Sequence, residues 1–366
     1  MKRRSFLKGT AVVGAAGAAT GTLATPAISQ GLRQWRMVTT WPKNFPGLGT
    51  GAELLAKIIE RGSEGRLKIE VFGAGQLVKP FDSLDAVIAG EVEMGHGTPY
   101  YWRKKIPAIA FLSAYPYGMT AQEQNGWIQY GGGQQLAEEM YASLGCKYFV
   151  SGNTGVQMGG WFNKEINALE DYRGLKMRIP GLGGEVIKSA GASTINLPAS
   201  KILNAMETGQ IDAMEWVGPY NDLALGVYKH AKYYYYPGWH EPGTTLDNFI
   251  NIKEWNKLPS DLKTVVEAAN IAVNQLVLSE FVARNNSALK TLVGKHGVIL
   301  KQFPDDVLAG FSTLSNKVVN DLASSDALSR RVLDNILTYR REAVAWTSLS
   351  ETTFTAARFL YSYSKV

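Results

Sequence analysis

The chain has 366 residues, 45% of them hydrophobic and 19% charged, with 38 Gly and 14 Pro, which excludes a disordered or collagen-like protein and leaves room for two packed domains. Its formal net charge of +6 is concentrated at one end. Residues 1–29 hold Lys2, Arg3, Arg4 and Lys8 and no acid; with these four set aside, 38 basic side chains fall to 34 against 32 acidic ones, too near neutral for a nucleic-acid footprint.

The single Cys146 excludes an intrachain disulfide or a thiolate metal cluster. His96, His230, His240 and His296 lack the H-x-x-x-H spacing of a zincin site.

Lys2-Arg3-Arg4-Ser5-Phe6-Leu7-Lys8 has the pattern of a bacterial twin-arginine export signal. The small-residue stretch Gly9 to Ala24 that follows is too short and too weakly apolar to span a membrane. Cleavage is expected after Ala27 or Ser29, and no later apolar run is expected to cross a bilayer. The mature protein is therefore expected in the periplasm, with Cys146 as a small buried hydrophobe.

In the body, Trp35 to Trp41 predicts a strand and Ala52 to Arg61 a helix. Leu67 to Phe72 alternates like a half-buried strand, Phe81 to Ala89 predicts a helix closed by Gly90, and Val92-Glu93-Met94 a third strand. This β-α-β-α-β order implies an α/β sheet. An internal echo extends it: Ala86-x-x-x-Gly90-x-Val92-Glu93 is matched by Ala205-x-x-x-Gly209-x-Ile211-Asp212, each a helix ending at glycine before a short strand. Two such units in order suggest two similar lobes, with strand ends Met94-Gly95-His96-Gly97 and Met214-Glu215-Trp216 facing a cleft.

From Pro259 the chain turns helical. Ser260 is the expected N-cap of a helix over Asp261 to Arg284, and Pro304-Asp305 opens another. Asp326 to about Tyr363 has no Pro or Gly and predicts one long helix. Packing along its own domain and a dimer contact are both open for its aromatic end.

Four segments place polar groups among apolar ones. Gly152 to Phe162, containing Asn153 and Gln157, reads as a glycine-rich turn feeding a buried strand; it lacks the phosphate-binding G-x-x-x-x-G-K-[ST] pattern. In the strand Gly174 to Pro180, Arg178 lies between Met177 and Ile179. Most strand arginines are exposed, but a guanidinium fork suits a carboxylate. Glu215 precedes Trp216, and Glu241 follows the aromatic run Tyr233 to His240. The two carboxylates allow an acid/base pair, a hard-cation site or two unrelated surface groups. No activated nucleophile accompanies them, so catalysis is the weakest reading and an all-oxygen cation site with the Gln157 carbonyl the better one.

These segments, with Pro99-Tyr100-Tyr101-Trp102, resemble the solute-binding proteins of tripartite ATP-independent periplasmic (TRAP) transporters, the DctP family, and most of all its α-keto acid binding subgroup. The resemblance runs from Trp35 to the C-terminal helix. It implies a two-lobed α/β periplasmic binding protein fold, a ligand cleft between the lobes and a long C-terminal helix that builds a homodimer. It divides the chain into an export signal at 1–29, mainly lobe I at 30–150 and mainly lobe II at 151–250. Helical segments return across the lobes at 251–325, and the dimerisation helix occupies 326–366.

By the same resemblance, Arg178 binds a ligand carboxylate, and Gln157, Glu215, Glu241 and the Trp216 carbonyl hold a cation that bridges protein and 2-oxo acid. Tyr100 and Tyr101 line the substrate pocket, Asn153 lies close to it, and Gln157 and Trp216 also meet the substrate. His240-Glu241-Pro242 departs from the more aromatic, glycine-rich sequence expected there. The nearest relatives imply Na⁺, whereas two glutamates, one arginine and a monocarboxylate leave a charge that Ca²⁺ would neutralise; hard oxygen ligands admit either. The implied function is a receptor, not an enzyme, that captures a pyruvate-like 2-oxo acid and delivers it to a TRAP membrane permease. Lactate and other 2-hydroxy acids or C4-dicarboxylates are the alternative ligands. A cofactor-bearing oxidoreductase lacks its clustered ligands and dinucleotide fingerprint here, and a hydrolase lacks its nucleophile–base pair.

Overall fold

The computed structural model describes residues 31–361, so the export signal and its cleavage positions lie outside the described residues. Strand β1 (Arg33–Thr39) is followed by α1 (Gly49–Gly62), β2 (Leu67–Phe72), α2 (Ser83–Ala89) and β3 (Met94–Gly97). β1 runs parallel to both β2 and β3, as the β-α-β-α-β order requires. The third strand starts at Met94, two residues later than Val92, because Gly90 in the left-handed region (φ 75°) first reverses the chain. After α3 (Ala121–Tyr130) and α4 (Gly133–Ser143), strand β4 (Cys146–Asn153) leads out of the first lobe.

The second lobe holds β5 (Gly160–Phe162), β6 (Lys176–Arg178), α5 (Gly181–Ser189), β7 (Ser193–Ile195), α6 (Ala199–Glu207), β8 (Ala213–Met214), α7 (Pro219–Leu225) and β9 (Tyr233–Tyr236). The internal echo is realised here: α6 is followed by Gly209 at φ 69°, whose N–H bonds back to the Met206 carbonyl, and then by β8. The chain then recrosses into β10 (Thr245–Asn251), α8 (Ile252–Asn256), α9 (Ser260–His296), β11 (Ile299–Gln302), α10 (Asp305–Ala323) and α11 (Ala327–Thr347).

The first sheet has the order β2-β1-β3-β10-β4 and the second β11-β9-β5-β8-β6-β7. β10 lies antiparallel between β3 and β4, so residues 245–250 sit in the first sheet although they fall within the span read as mainly lobe II. The lobes are joined by two crossovers, 154–159 and 237–244, and by α9, which packs on β4 and α1 of one lobe and α7 of the other.

Three expectations about the helices need correction. α9 runs to His296, not Arg284, because nothing breaks it before Gly297 takes φ 66°, and Ser260 is its first residue rather than a side-chain cap. α9 also contains an 18-residue stretch long and apolar enough to cross a membrane by composition alone, with a mean hydropathy of 1.3. Its buried Val266, Val273, Val277 and Phe281 instead pack in the core that joins the lobes. The last helix is not continuous: Asp326 caps α11 through the Ser329 N–H at 2.8 Å, and at Ser348–Thr352 the helix loosens to a π-turn before a short helix at Thr353–Ala357. Val332, Leu333 and Ile336 of α11 are buried in the first lobe. Beyond them Trp346, Leu349 and Phe354 are 69%, 75% and 63% exposed.

Candidate functional site

The site forms where β6 and β8 end, against the two crossovers. β6 is parallel to β8, pairing Arg178 with Met214, so the next residue, Glu215, emerges beside the guanidinium. Arg178 Nε donates to the Leu197 carbonyl at 3.1 Å and Nη1 to the Glu215 carbonyl, which fixes the side chain. Nη2 is buried without a partner, and the guanidinium lies 4.9 Å from the centre of the Trp216 ring. Nη1 is also 3.6 Å from Glu215 Oε2, an ion pair between side chains that are each 1% exposed.

The crossovers are bound to each other. The Gln157 N–H donates to the Glu241 carbonyl at 3.2 Å, the Gly238 N–H to the Gln157 carbonyl at 2.9 Å, and the Thr154 N–H to the Thr244 carbonyl at 3.0 Å. Gly238 is essential to this approach, since a Cβ there would stand 2.2 Å from the Gln157 carbonyl oxygen. The Gln157 amide nitrogen donates to Thr154 Oγ1 and Thr244 Oγ1, which defines the amide orientation and leaves Oε1 buried and unpartnered. Thr244 Oγ1 in turn donates to Glu241 Oε2.

Tyr100 and Tyr101 follow β3 and cover the cluster from the first lobe. With Trp41, Gln157, Trp216 and Thr244 they line a small, partly open chamber. Burial pushes the Tyr100 phenol well above its ordinary range and that of Tyr101 up to about 12, so both remain neutral hydrogen-bonding groups. Trp41 is held by its Nε1, which donates to His96 Nδ1 at 3.0 Å, while His96 Nε2 meets the Ser151 carbonyl at 3.3 Å. Burial lowers the His96 imidazole to about 4, more than the Ser151 contact raises it. The Trp216–Val217 turn is held by Asp222, which accepts from the Val217 N–H, Trp161 Nε1 and Tyr234 Oη.

Thus Arg178, Gln157, Glu215, Trp216, Glu241, Tyr100 and Tyr101 converge. Asn153 does not face the chamber: Oδ1 accepts from the Gly155 N–H and Nδ2 donates to the Gly243 carbonyl and Thr245 Oγ1, ties that hold the crossovers together. Three residues that join the site were not singled out for it from sequence. Thr154 and Thr244 are ordinary loop hydroxyls with no sequence signal. His240 had one, as the departure beside Glu241. It is buried, with Nε2 3.6 Å from Glu215 Oε1 and neither ring nitrogen hydrogen-bonded.

Buried polar atoms without partners test the fit of a cation. Gln157 Oε1, both Glu215 carboxylate oxygens and both His240 nitrogens are in that state, and Glu215, His240 and Glu241 bring ligand atoms within 4.8 Å of one another. Buried carboxylate and amide oxygens that accept no hydrogen bond are what a bound cation satisfies. Burial, reinforced by Glu215, raises the Glu241 carboxyl more than His240, Thr244 and Arg178 lower it. Burial opposes a charge on His240, but the pull of the ion-paired Glu215, with Glu241, outweighs it and raises the imidazole.

Comparison with known proteins gives this cluster a context. The profile for bacterial extracellular solute-binding protein, family 7 (DctP) matches residues 37–326, and a twin-arginine translocation signal matches residues 1–20. The periplasmic export expected from the first residues is borne out. A monocarboxylate 2-oxoacid-binding periplasmic protein of Nostoc sp. is 40% identical over 358 residues, covering 97% of this chain and 98% of its own. A TRAP periplasmic solute-binding protein of Pseudoalteromonas atlantica, solved with sodium and pyruvate, is 39% identical with a TM-score of 0.86, covering 89% of this chain and 99% of its own. One from Bordetella bronchiseptica, solved as a dimer with calcium and picolinate in one of its sites, is 34% identical with a TM-score of 0.88, covering 90% and 98%. The two-lobed α/β fold expected from the sequence is that of these structures.

Proposed function

The chain belongs to bacterial extracellular solute-binding protein family 7, and on that premise we propose that it captures a 2-oxo monocarboxylate such as pyruvate between its lobes and delivers it to a TRAP membrane permease. The observation that carries this reading is the buried set of unpartnered groups beneath Tyr100 and Tyr101: Arg178 Nη2, Gln157 Oε1 and both Glu215 carboxylate oxygens. A cation donor and several oxygen acceptors side by side suit an anion bound together with a metal ion.

Arg178 holds the ligand carboxylate. Its anchoring to the Leu197 and Glu215 carbonyls means that no side-chain ordering is needed on binding. Gln157, Glu215, Glu241 and the Trp216 carbonyl hold Na⁺ or Ca²⁺, which supplies a positive centre for the second ligand oxygen. A 2-oxo acid presents a carboxylate oxygen and an adjacent keto oxygen, a pair that can chelate one hard cation; picolinate presents a carboxylate beside a ring nitrogen in the same relation. Tyr100 and Tyr101 close over the ligand and exclude water. The exposed stripe Trp346, Leu349 and Phe354 forms a homodimer contact.

Calorimetric titration of pyruvate tests this, before and after removal of Na⁺ and divalent cations, with lactate, propionate and succinate as comparisons. Pyruvate is expected to bind tightest and only with a cation. Undiminished binding in cation-free buffer removes the metal bridge, and tighter binding of succinate removes the 2-oxo assignment.

A further inference from the structure

The cleft has a mouth away from its two crossovers. Tyr100, Tyr101, Arg103, Ile179, Gly181 and Glu185 line one partly open recess between the lobes, and none of residues 154–159 or 237–244 lines it. Across this recess Arg103 Nη2 donates to Glu185 Oε1 at 2.6 Å. Among the ion pairs of the described residues, no other joins a residue of 31–153 to one of 160–236.

Each partner is tied to a residue of the site. The Arg103 N–H donates to the Tyr100 carbonyl at 3.3 Å, closing the short turn Pro99–Trp102 that carries both tyrosines. Glu185 stands on α5, which starts three residues after Arg178. The first turn of α5 also meets the first lobe, where Leu182 is buried with Tyr100 and Trp102. Gly181, at φ 62°, leaves room for the Tyr100 ring, since a Cβ there would stand 3.2 Å from Cδ1. Apolar contact and ion pair thus lie side by side where the lobes touch. The side chains of the pair are 38% and 37% exposed, so salt weakens it while leaving the apolar contact in place.

We propose that Arg103 and Glu185 form a latch that holds Tyr100 and Tyr101 over Arg178 and sets the rate at which cargo leaves. Both are positioning residues that act through the cover and the clamp. Opening must break the pair before Tyr100 can lift from Gly181, so the cost of rupture falls mainly on dissociation. The inference rests on the reading that the ligand sits between the lobes and adds to it a control on release.

Stopped-flow release of pyruvate from the mature protein tests this at fixed Ca²⁺, followed by the fluorescence of Trp41 and Trp216, which line the chamber. The proteins are wild type, Arg103→Gln, Glu185→Gln, both together, and the reversed pair Arg103→Glu with Glu185→Arg. Each single variant is expected to release pyruvate roughly two- to fivefold faster than wild type. The double variant should be no faster than either single, because the same interaction is lost only once. The reversed pair should return to within about twofold of wild type. Choline chloride at about 0.5 M should speed release from wild type but not from the neutral variants. A residue that only supported the fold would show neither the rescue nor the lost salt response. Equal release from wild type and both single variants, or effects that add in the double variant, overturns the inference. Failure of wild type to bind pyruvate counts instead against the reading on which it rests. The latch is then read without cargo by small-angle X-ray scattering: Arg103→Glu should enlarge the radius of gyration of the ligand-free chain, and an unchanged radius overturns it.

Discussion

The Gln157 amide nitrogen donates to Thr244 Oγ1 at 2.9 Å, and the same hydroxyl donates onward to Glu241 Oε2. One threonine thus orients two of the proposed cation ligands, which come from different crossovers. Such partners behind a ligand set its direction and basicity.

Thr244→Val keeps the shape of the side chain but leaves Glu241 Oε2 without its donor. Cation-dependent pyruvate affinity should fall roughly 10- to 100-fold, while Thr244→Ser should stay within about threefold of wild type. Calorimetry on the three proteins under one cation concentration reads the difference, and equal affinity in Thr244→Val would show that the hydroxyl does not orient the ligands.

Arg178→Lys cannot reproduce the present arrangement, because an ammonium has no planar fork to hold two backbone carbonyls and still face a ligand. Removing a buried charged partner costs roughly 3–5 kcal/mol, so binding in Arg178→Met should pass below detection. Circular dichroism must accompany the titration, since Arg178 also ties Leu197 to Glu215. Near-native affinity in the methionine variant would remove the carboxylate assignment.

Acid should weaken the cleft wall through His96. Its folded-state value is about 4 against an ordinary 6.5, so the neutral ring is favoured by folding. The stability it contributes is fully present above pH 6.5 and is lost as the pH falls towards 4, about 3 kcal/mol in all. Asp222 and Asp247, whose carboxyls burial raises to about 7, act with the opposite sign: their contribution is fully present below their ordinary 3.8 and is lost as the pH rises through 7. The difference in Tm between wild type and His96→Gln isolates the histidine. It should shrink steadily from pH 7 to pH 4, and a constant difference would argue against a neutral His96.

The exposed Trp346, Leu349 and Phe354 should hold two chains together. Sedimentation at micromolar concentration is expected to give a dimer for wild type and a monomer for Trp346→Asp combined with Phe354→Asp. Pyruvate affinity should change by less than about threefold, because α11 enters the first lobe through Val332, Leu333 and Ile336, remote in sequence from that stripe. A monomeric wild type would remove the contact.

Much of the local structure was legible because its signals are local. The alternation of Leu67 to Phe72 and the glycines at 90 and 209 mark elements through side-chain period and positive φ. The place of β10 was not, since its pairing with β3 and β4 joins residues nearly or more than a hundred positions apart. The break at Ser348 carries neither proline nor glycine, so periodicity passes straight through it. In the site, Arg178 and the two glutamates were visible as charges in apolar surroundings, but their grouping came from resemblance. Thr154 and Thr244 gain meaning only when the crossovers lie side by side. His240 was noticed as a departure, and only its burial beside Glu215 gives it a chemical role.

The laced crossovers also bear on how cargo leaves. Gln157 and Glu241 lie on the crossovers about which the lobes would swing, close to the fulcrum, where a rotation displaces atoms least. Tyr100 and Tyr101 lie on the opposing lobe and would travel further for the same rotation. A permease that prises the lobes apart would then strip the aromatic cover while leaving Gln157 and Glu241 assembled, so an emptied receptor could return to the periplasm with those two donors already in register for its next load.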